Sequence, residues 1–530
     1  MRRFGFIALV AVVASMVPAP ASAQGDGGRK AYSGALSLGY VFLDEEGSRA
    51  VNQPTFNTYE GAALSLSDFR YDLADGSYLQ ADLRNVSLKN RRMRLGFTRP
   101  GFASVTLRHN RSRHVTSDDA GAHTRRSQIS GEAWLQPHEK IRFFGGYGVL
   151  DRRGAFQELY ELGPLPARRD VDYQQQSYHA GARLRHGRGT LELEFRGSSF
   201  TDDLETLDDR TRSRYRISAK APAAGYERLS LNGGFQHYEA RREDAGDTLS
   251  VNTFWGGAGL DFCRGFSTRY SATWDRARRT GDRSSTDNII NSVSAQKVWT
   301  GRGGLSAGWQ YHLNDDVFHD VRSNGFFGTA WIQAASWLDL RGNLGLTSRD
   351  DRDATTLTGD ADLTRYGLTA TFRTAMGKLR ARFESRARAW DDIGSSADYT
   401  RAGADVTVIE KRYGTLTGSY FYMQGDYDEA TGDTFTFADH VVTGRFESAS
   451  YHGVAALAGG TYLRSKEDLD TERFNVDLGG RYSFGGRYSL EAVYTAHNFD
   501  DLLQAETEPL YTRYYTANMV EISLRTELGR

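Results

Sequence analysis

A charged residue, four times arginine, recurs at every second position from Lys378 to Arg388 in the stretch Lys378–Trp390, KLRARFESRARAW. Arg380, Arg382, Glu384, Arg386 and Arg388 fall on one parity, and Leu379, Ala381, Phe383, Ser385, Ala387 and Ala389 on the other. A strand sends successive side chains to opposite faces, so this spacing makes one face ionic and the other apolar or small. A helix would scatter the same arginines around its axis. The guanidinium fork pairs bidentately with carboxylates, so an ionic face of this kind can grip an acidic or propionate-bearing partner. Two other segments are built alike: Arg212, Arg214, Arg216 and Lys220 oppose Tyr215, Ile217 and Ala219, while His179, Arg183 and Arg185 oppose Ala180, Ala182 and Leu184. Glu192, Glu194 and Arg196 share one parity, as do Arg92 and Arg94. Any water-filled barrel has polar, mixed-charge inner walls, and for each residue taken singly that is the more general explanation.

Catalytic chemistry is not indicated. His114, His123, His312 and His319 stand at no Ser or Asp spacing that marks a catalytic set. The acidic pairs Asp202/Asp203, Asp315/Asp316 and Asp391/Asp392 have the chemistry to take Ca²⁺ or bridge lipopolysaccharide cations, but read as solvated loop. No catalytic residue and no metal site is expected.

The elements that must carry these faces are hairpins. Tyr366, Leu368, Ala370 and Phe372 make the apolar face of a strand that reaches Lys378–Trp390 through the short turn Thr374–Gly377. Ser33–Leu43 reads as the first strand, followed by Gly61–Leu73, Tyr78–Asn85, Arg91–Thr98 and Phe102–Asn110. Ten regular hairpins follow, from Ile129–Asp151 to Arg473–Phe499, and Tyr514–Leu528 closes the chain. The sum is about 26 strands of period two. Compact turns such as Gly187-Arg188-Gly189, Arg264-Gly265, Gly301-Arg302-Gly303 and Gly485-Gly486 alternate with longer, acidic connections such as Thr201–Arg210 and Asp426–Thr434. Short turns at one end and long loops at the other are the pattern of outer-membrane barrels, with the short turns periplasmic. An even strand count then puts both termini in the periplasm. Trp274, Trp299, Trp331, Trp337 and Tyr488, near strand ends, are expected in the interfacial girdles.

Composition agrees. The 530 residues include 57 Gly, 28 Tyr and 28 Phe but only 9 Pro, and the formal charge is −1. A strongly basic nucleic-acid-binding domain is excluded. Eight of the 66 cations are Lys and the other 58 are Arg. Mean hydropathy is −0.56, so no spanning helix is expected beyond the N-terminus. There Met1–Ala23 has the basic start, apolar core and Ala21-Ser22-Ala23 cleavage site of a secretory signal, which implies Gram-negative export. Gln24–Tyr32 is then a short periplasmic lead and Ser33–Leu528 the barrel. Cys263 is the sole cysteine, which excludes an internal disulfide and covalent haem attachment through CxxCH.

Barrels of 16–18 strands already leave an aqueous channel, and 22-stranded transporters hold a plug. No stretch of this sequence reads as a plug domain, so the barrel is either flattened or filled by another polypeptide. In these features the whole mature chain resembles the MtrB/PioB family: a signal peptide, about 26 strands without a plug, short periplasmic turns and an Arg-rich lumen. It departs from the family in being shorter and in lacking the CxxC that many members carry near the mature N-terminus, so no motif residue carries over. The resemblance implies an outer-membrane sheath that embeds and insulates a multihaem c-type cytochrome for extracellular electron transfer. The chain itself would bind no haem covalently, and haem would belong only to the partner. Lumen contacts would come from Arg380, Arg382, Glu384, Arg386, Arg388, Arg212, Arg214, Arg216, Arg183 and Arg185. The alternative is a large passive or anion-preferring porin, which calls for an inward-folded constriction loop. Arg152–Asp172 is the candidate for that loop.

Overall fold

The computed structural model describes residues 32–47, 58–117, 122–158, 167–204, 208–280, 285–315, 320–351, 360–390, 394–429, 432–468, 470–501 and 514–529. The signal sequence, His319, Asp316 and the Asp391/Asp392 pair lie outside them. The described residues form 26 strands and no helix. The first nine are β1 (Tyr32–Gly47), β2 (Gly61–Asp72), β3 (Tyr78–Arg84), β4 (Arg91–Arg99), β5 (Ala103–Ser117), β6 (Ala122–His138), β7 (Ile141–Glu158), β8 (Ala167–His186) and β9 (Gly189–Asp202). Then come β10 (Arg210–Ala223), β11 (Tyr226–Arg242), β12 (Asp247–Cys263), β13 (Phe266–Arg279), β14 (Ser285–Trp299), β15 (Gly303–Asp315), β16 (Asp320–Ala335), β17 (Leu338–Asp351) and β18 (Ala361–Thr374). The last eight are β19 (Gly377–Trp390), β20 (Ser395–Glu410), β21 (Gly414–Asp428), β22 (Thr434–Ser448), β23 (Val454–Glu467), β24 (Thr471–Phe484), β25 (Tyr488–Asp501) and β26 (Tyr514–Leu528).

Each strand pairs antiparallel with its neighbours in sequence, and β1 pairs with β26 from Gly34↔Leu528 to Gly47↔Tyr515, closing the ring. The fold is therefore an all-β closed antiparallel barrel. On the lumen side of the seam, Tyr515 and Ala517 are buried with Leu43 and Met519 packed against them. The Tyr515 hydroxyl donates to Glu45 Oε2 at 2.7 Å. Twenty-six strands about 4.8 Å apart and tilted about 40° make a circular backbone ring roughly 50 Å across. Tight turns gather at the end that carries Tyr32 and Leu528, and the other connections at the opposite, loop end. At the terminus end, the Ser77 amide and hydroxyl both donate to Asp75 (3.0 and 2.5 Å), closing the β2–β3 turn and holding that carboxyl below its ordinary pKa.

Alternation sorts the side chains as the sequence predicts. Leu36, Leu38, Tyr40 and Phe42, Leu193, Tyr215 and Ile217, Leu305, and Val476, Leu478 and Tyr482 are all exposed on the outer face. Two expectations are corrected. The strands run beyond the sequence-read hairpins, so part of each supposed loop is sheet: β9 reaches Asp202, β21 reaches Asp428, and β7 and β8 run deep into Arg152–Asp172. Polar residues above the apolar band still complete the ladder, which composition alone conceals. Trp331, read as a girdle residue, is not on the outer face. It shares parity with Phe327, opposite the exposed Phe326 and Ile332, and faces the lumen.

Trp331 belongs to a recurring arrangement that sequence reading missed. Among the described residues the register sets six lumen-facing Phe and Trp rings opposite glycines that they cover: Phe144↔Gly181, Trp255↔Gly234, Phe327↔Gly308, Trp331↔Gly304, Phe421↔Gly403 and Phe437↔Gly425. In every pair a Cβ on the glycine would fall within the neighbouring ring. The rings thus lie flat over the glycines instead of projecting into the bore. Gly308→Ala is expected to cost about 1–3 kcal/mol by lifting Phe327 off the wall. Gly444→Ala, where a Cβ meets nothing within 4 Å, should stay within about 0.5 kcal/mol of the parent. Urea unfolding of the detergent-purified barrel compares the two.

The lumen as the candidate functional site

The ten arginine and glutamate positions singled out by spacing all fall on the lumen face, since their strand neighbours of opposite parity are the exposed apolar ones. They do not form one cluster. They make two arcs, β8–β10 and β18–β20, ten strands apart one way round the ring. Each arc is contiguous because the antiparallel register stacks the ionic parity of one strand on that of the next.

In the first arc Glu194 is the hub. Its side chain is 5% exposed and accepts from Arg196 Nε at 2.6 Å and Arg214 at 3.1 Å. Arg183 Nε donates to Glu192 at 2.6 Å, and His179 Nε2 lies 3.1 Å from Glu132. Arg216 sits 5.0 Å over the Trp255 ring. In the second arc Glu384 accepts from Arg386 at 2.7 Å and from Arg365 at 3.0 Å, and Arg382 pairs with Asp405. Arg388 stacks on Trp390 at 4.5 Å, Arg386 on Tyr399 at 5.8 Å, and Arg401 on Phe421 at 4.7 Å.

Cations outnumber acids in both arcs. Among the described residues no carboxylate forms an ion pair with Arg185, Arg212 or Arg380, and Arg214 Nε is buried without a hydrogen-bond partner. A concavity of about 970 Å³ near the terminus end joins the second arc to β14–β17, with Arg341, Arg373, Arg380 and Arg382 in its lining beside Trp331. Chemically, the wall can hold carboxylates or other anions against flat aromatic plates. His312 Nε2 is within 2.5 Å of Asn288 Oδ1, while His114 and His123 lie on opposite faces of the wall. No group of three or more His, Cys, Asp or Glu among the described residues is arranged to hold a metal ion.

No family model matches the chain, and no curated protein matches it. Solved structures do match. A ferric enterobactin receptor (PfeA) mutant from Pseudomonas aeruginosa superposes with a TM-score of 0.53 at 11% identity, over 95% of this chain and 81% of that one. The fold is that of outer-membrane β-barrels. The FrpB iron transporter from Neisseria meningitidis gives 0.53 at 9% identity over 94% and 82% of the two chains. The siderophore receptor PirA from Acinetobacter baumannii gives 0.52 at 9% over 95% and 81%. At these identities the likeness is one of fold, and no residue role passes from those proteins to this barrel.

The two glutamate hubs differ in burial, and that difference is measurable. Glu194→Ala removes a 5%-exposed acceptor shared by the exposed Arg196 and the part-buried Arg214 and is expected to cost about 1–2 kcal/mol. Glu384, 26% exposed and reached by water, should cost under about 1 kcal/mol when truncated. Parallel urea titrations in detergent check the order.

Proposed function

We propose that this chain is an outer-membrane sheath that surrounds and insulates a multihaem c-type cytochrome, and that the cytochrome supplies all of the haem. The observation that carries the proposal is the size of the ring: 26 strands, with no helix among the described residues to serve as a plug. A circular ring of this size, less its inner side chains, leaves a bore of about 40 Å. A folded polypeptide of roughly 200 residues has about that diameter. Left open, such a bore would defeat the membrane as a barrier.

The lining supports the same occupant. Rings flattened over glycines keep the wall smooth, and arginines without carboxylate partners among the described residues can take acidic groups, of which haem propionates are well matched to the guanidinium fork. Residence in the outer membrane with both termini in the periplasm is part of this proposal, supported by the exposed apolar outer face and the fold likeness. Arg185, Arg212 and Arg380, with no carboxylate partner among the described residues, also favour the alternative, an open porin that prefers anions.

Gentle detergent extraction of the tagged protein, followed by haem staining and a visible spectrum, separates the two. A stoichiometric c-type cytochrome that leaves only on denaturation is expected. In Arg382→Glu/Arg386→Glu, where two lumen cations become acids, the haem-to-barrel ratio should fall severalfold while the barrel stays folded. A colourless barrel from native membranes would remove the sheath and leave the porin.

A further inference from the structure

One strongly charged cluster does not face the lumen. On β5, Arg111 and Arg113 share the parity of Val105 and Leu107, and on β6, Arg125 shares that of Ile129. On β7, Arg153 shares that of the exposed Phe143 and Tyr147. These arginines therefore stand on the outer face, toward the loop end and above exposed apolar side chains. Arg113↔Arg125 and Arg125↔Arg153 are direct cross-strand partners, as are Arg91↔Arg111. Like charges placed directly opposite destabilise a sheet, so a row of three arginines on adjacent strands calls for a compensating anion.

The described residues supply only part of that compensation. Arg153 pairs with Asp172 at 3.0 Å. No carboxylate among the described residues forms an ion pair with Arg91, Arg113 or Arg125, and the Nε atoms of Arg91 and Arg113 are buried without hydrogen-bond partners. Arg113, Arg125 and Arg153 line a concavity of about 520 Å³ with Lys89, Arg111 and His123, and among the described residues none of its lining is acidic.

The concavity exists because the wall steps down beside it. β3 and β4 have only 7 and 9 residues, against 15, 17 and 18 in β5, β6 and β7. A tilted seven-residue strand rises about 18 Å, less than the apolar band of about 25 Å typical of such barrels. Buried Leu88 and Tyr59 fill the step, and the Tyr59 hydroxyl donates to the Arg113 carbonyl at 3.1 Å. Lys89 lies 5.6 Å from the Tyr59 ring.

We infer that this outer-face cluster binds the phosphate groups of a phosphorylated lipid in the leaflet at the loop end, its acyl chains lying along Val105, Ile129, Phe143 and Tyr147. Phosphate suits a group of arginines because each fork offers parallel N–H donors to two of its oxygens. The apolar surface that begins at Ile129 and Val149, one polar layer (Arg111, Ser127, Asp151) below the row, is what favours a lipid over a free anion. The inference needs the barrel to stand in a membrane, but not the presence of a cytochrome.

Native mass spectrometry on the full-length, delipidated barrel tests it with three probes: bisphosphorylated lipid A, the same lipid without phosphates, and inorganic phosphate. Retention of the bisphosphorylated lipid is expected, with the phosphate-free form at least about tenfold weaker. Arg113→Gln/Arg125→Gln should weaken retention by a similar factor, while the lumen variant Arg382→Gln leaves it unchanged. Heat-modifiable gel mobility reports whether the double variant is folded. If it is not, the comparison of phosphorylated and phosphate-free lipid on the parent protein decides. Equal retention of both lipids, undiminished binding by the folded variant, or displacement by inorganic phosphate at equal concentration would overturn the inference. A colourless barrel that retains the lipid keeps this site and loses the sheath, and a haem-loaded barrel that ignores the lipid does the reverse.

Discussion

Ring closure is the constraint on which everything else in this molecule depends. Once β1 accepts β26 in register, no strand edge runs the height of the wall, and its backbone polar groups are paired strand to strand except at the short step beside β3 and β4. Closure also fixes circumference, and circumference fixes the problem the protein must solve. Eight strands can be filled by side chains and 22 by a plug, but a ring of 26 encloses more space than its own lining occupies. The lining enlarges that space further. Six aromatic rings that could reach into the bore lie instead against the wall, each admitted by a glycine on the paired strand. A chain selected to obstruct its own lumen would place bulk opposite bulk.

Charge follows the same geometry. Because period two keeps each strand's ionic parity on one face, arginines at alternate positions become vertical stripes, and the register joins stripes into arcs. Glutamates such as Glu194 and Glu384 hold several arginines in place without neutralising them all. On the outer face the same arithmetic puts Arg113, Arg125 and Arg153 side by side at the edge of the apolar surface. Inner and outer clusters thus arise from one rule, and differ only in which parity the arginines occupy.

That rule is why much of the architecture was legible in the sequence. Strand number, closure and the lumen-facing side of Arg380–Arg388 all follow from alternation, which is strongest where one face must be apolar. Strand ends were less legible, because beyond the apolar band both faces are polar and a ladder looks like a loop, as at Asp202 and Asp428. Trp331 misled because an aromatic near a strand end is read as a girdle residue unless its parity is checked against Phe326 and Ile332. The ring-on-glycine pairs needed the register, which no single strand contains. The outer arginines carried a usable signal in their parity with Val105 and Ile129, but only a shared cavity shows that three strands bring them together.

The central claim, that the bore is occupied in the native protein, is tested most directly by conductance across a planar bilayer. Protein extracted gently from native membranes should pass no steady current, whereas the same chain refolded alone from denaturant should open a large, stable conductance. A large steady current from the natively extracted protein, equal to that of the refolded chain, would contradict the account.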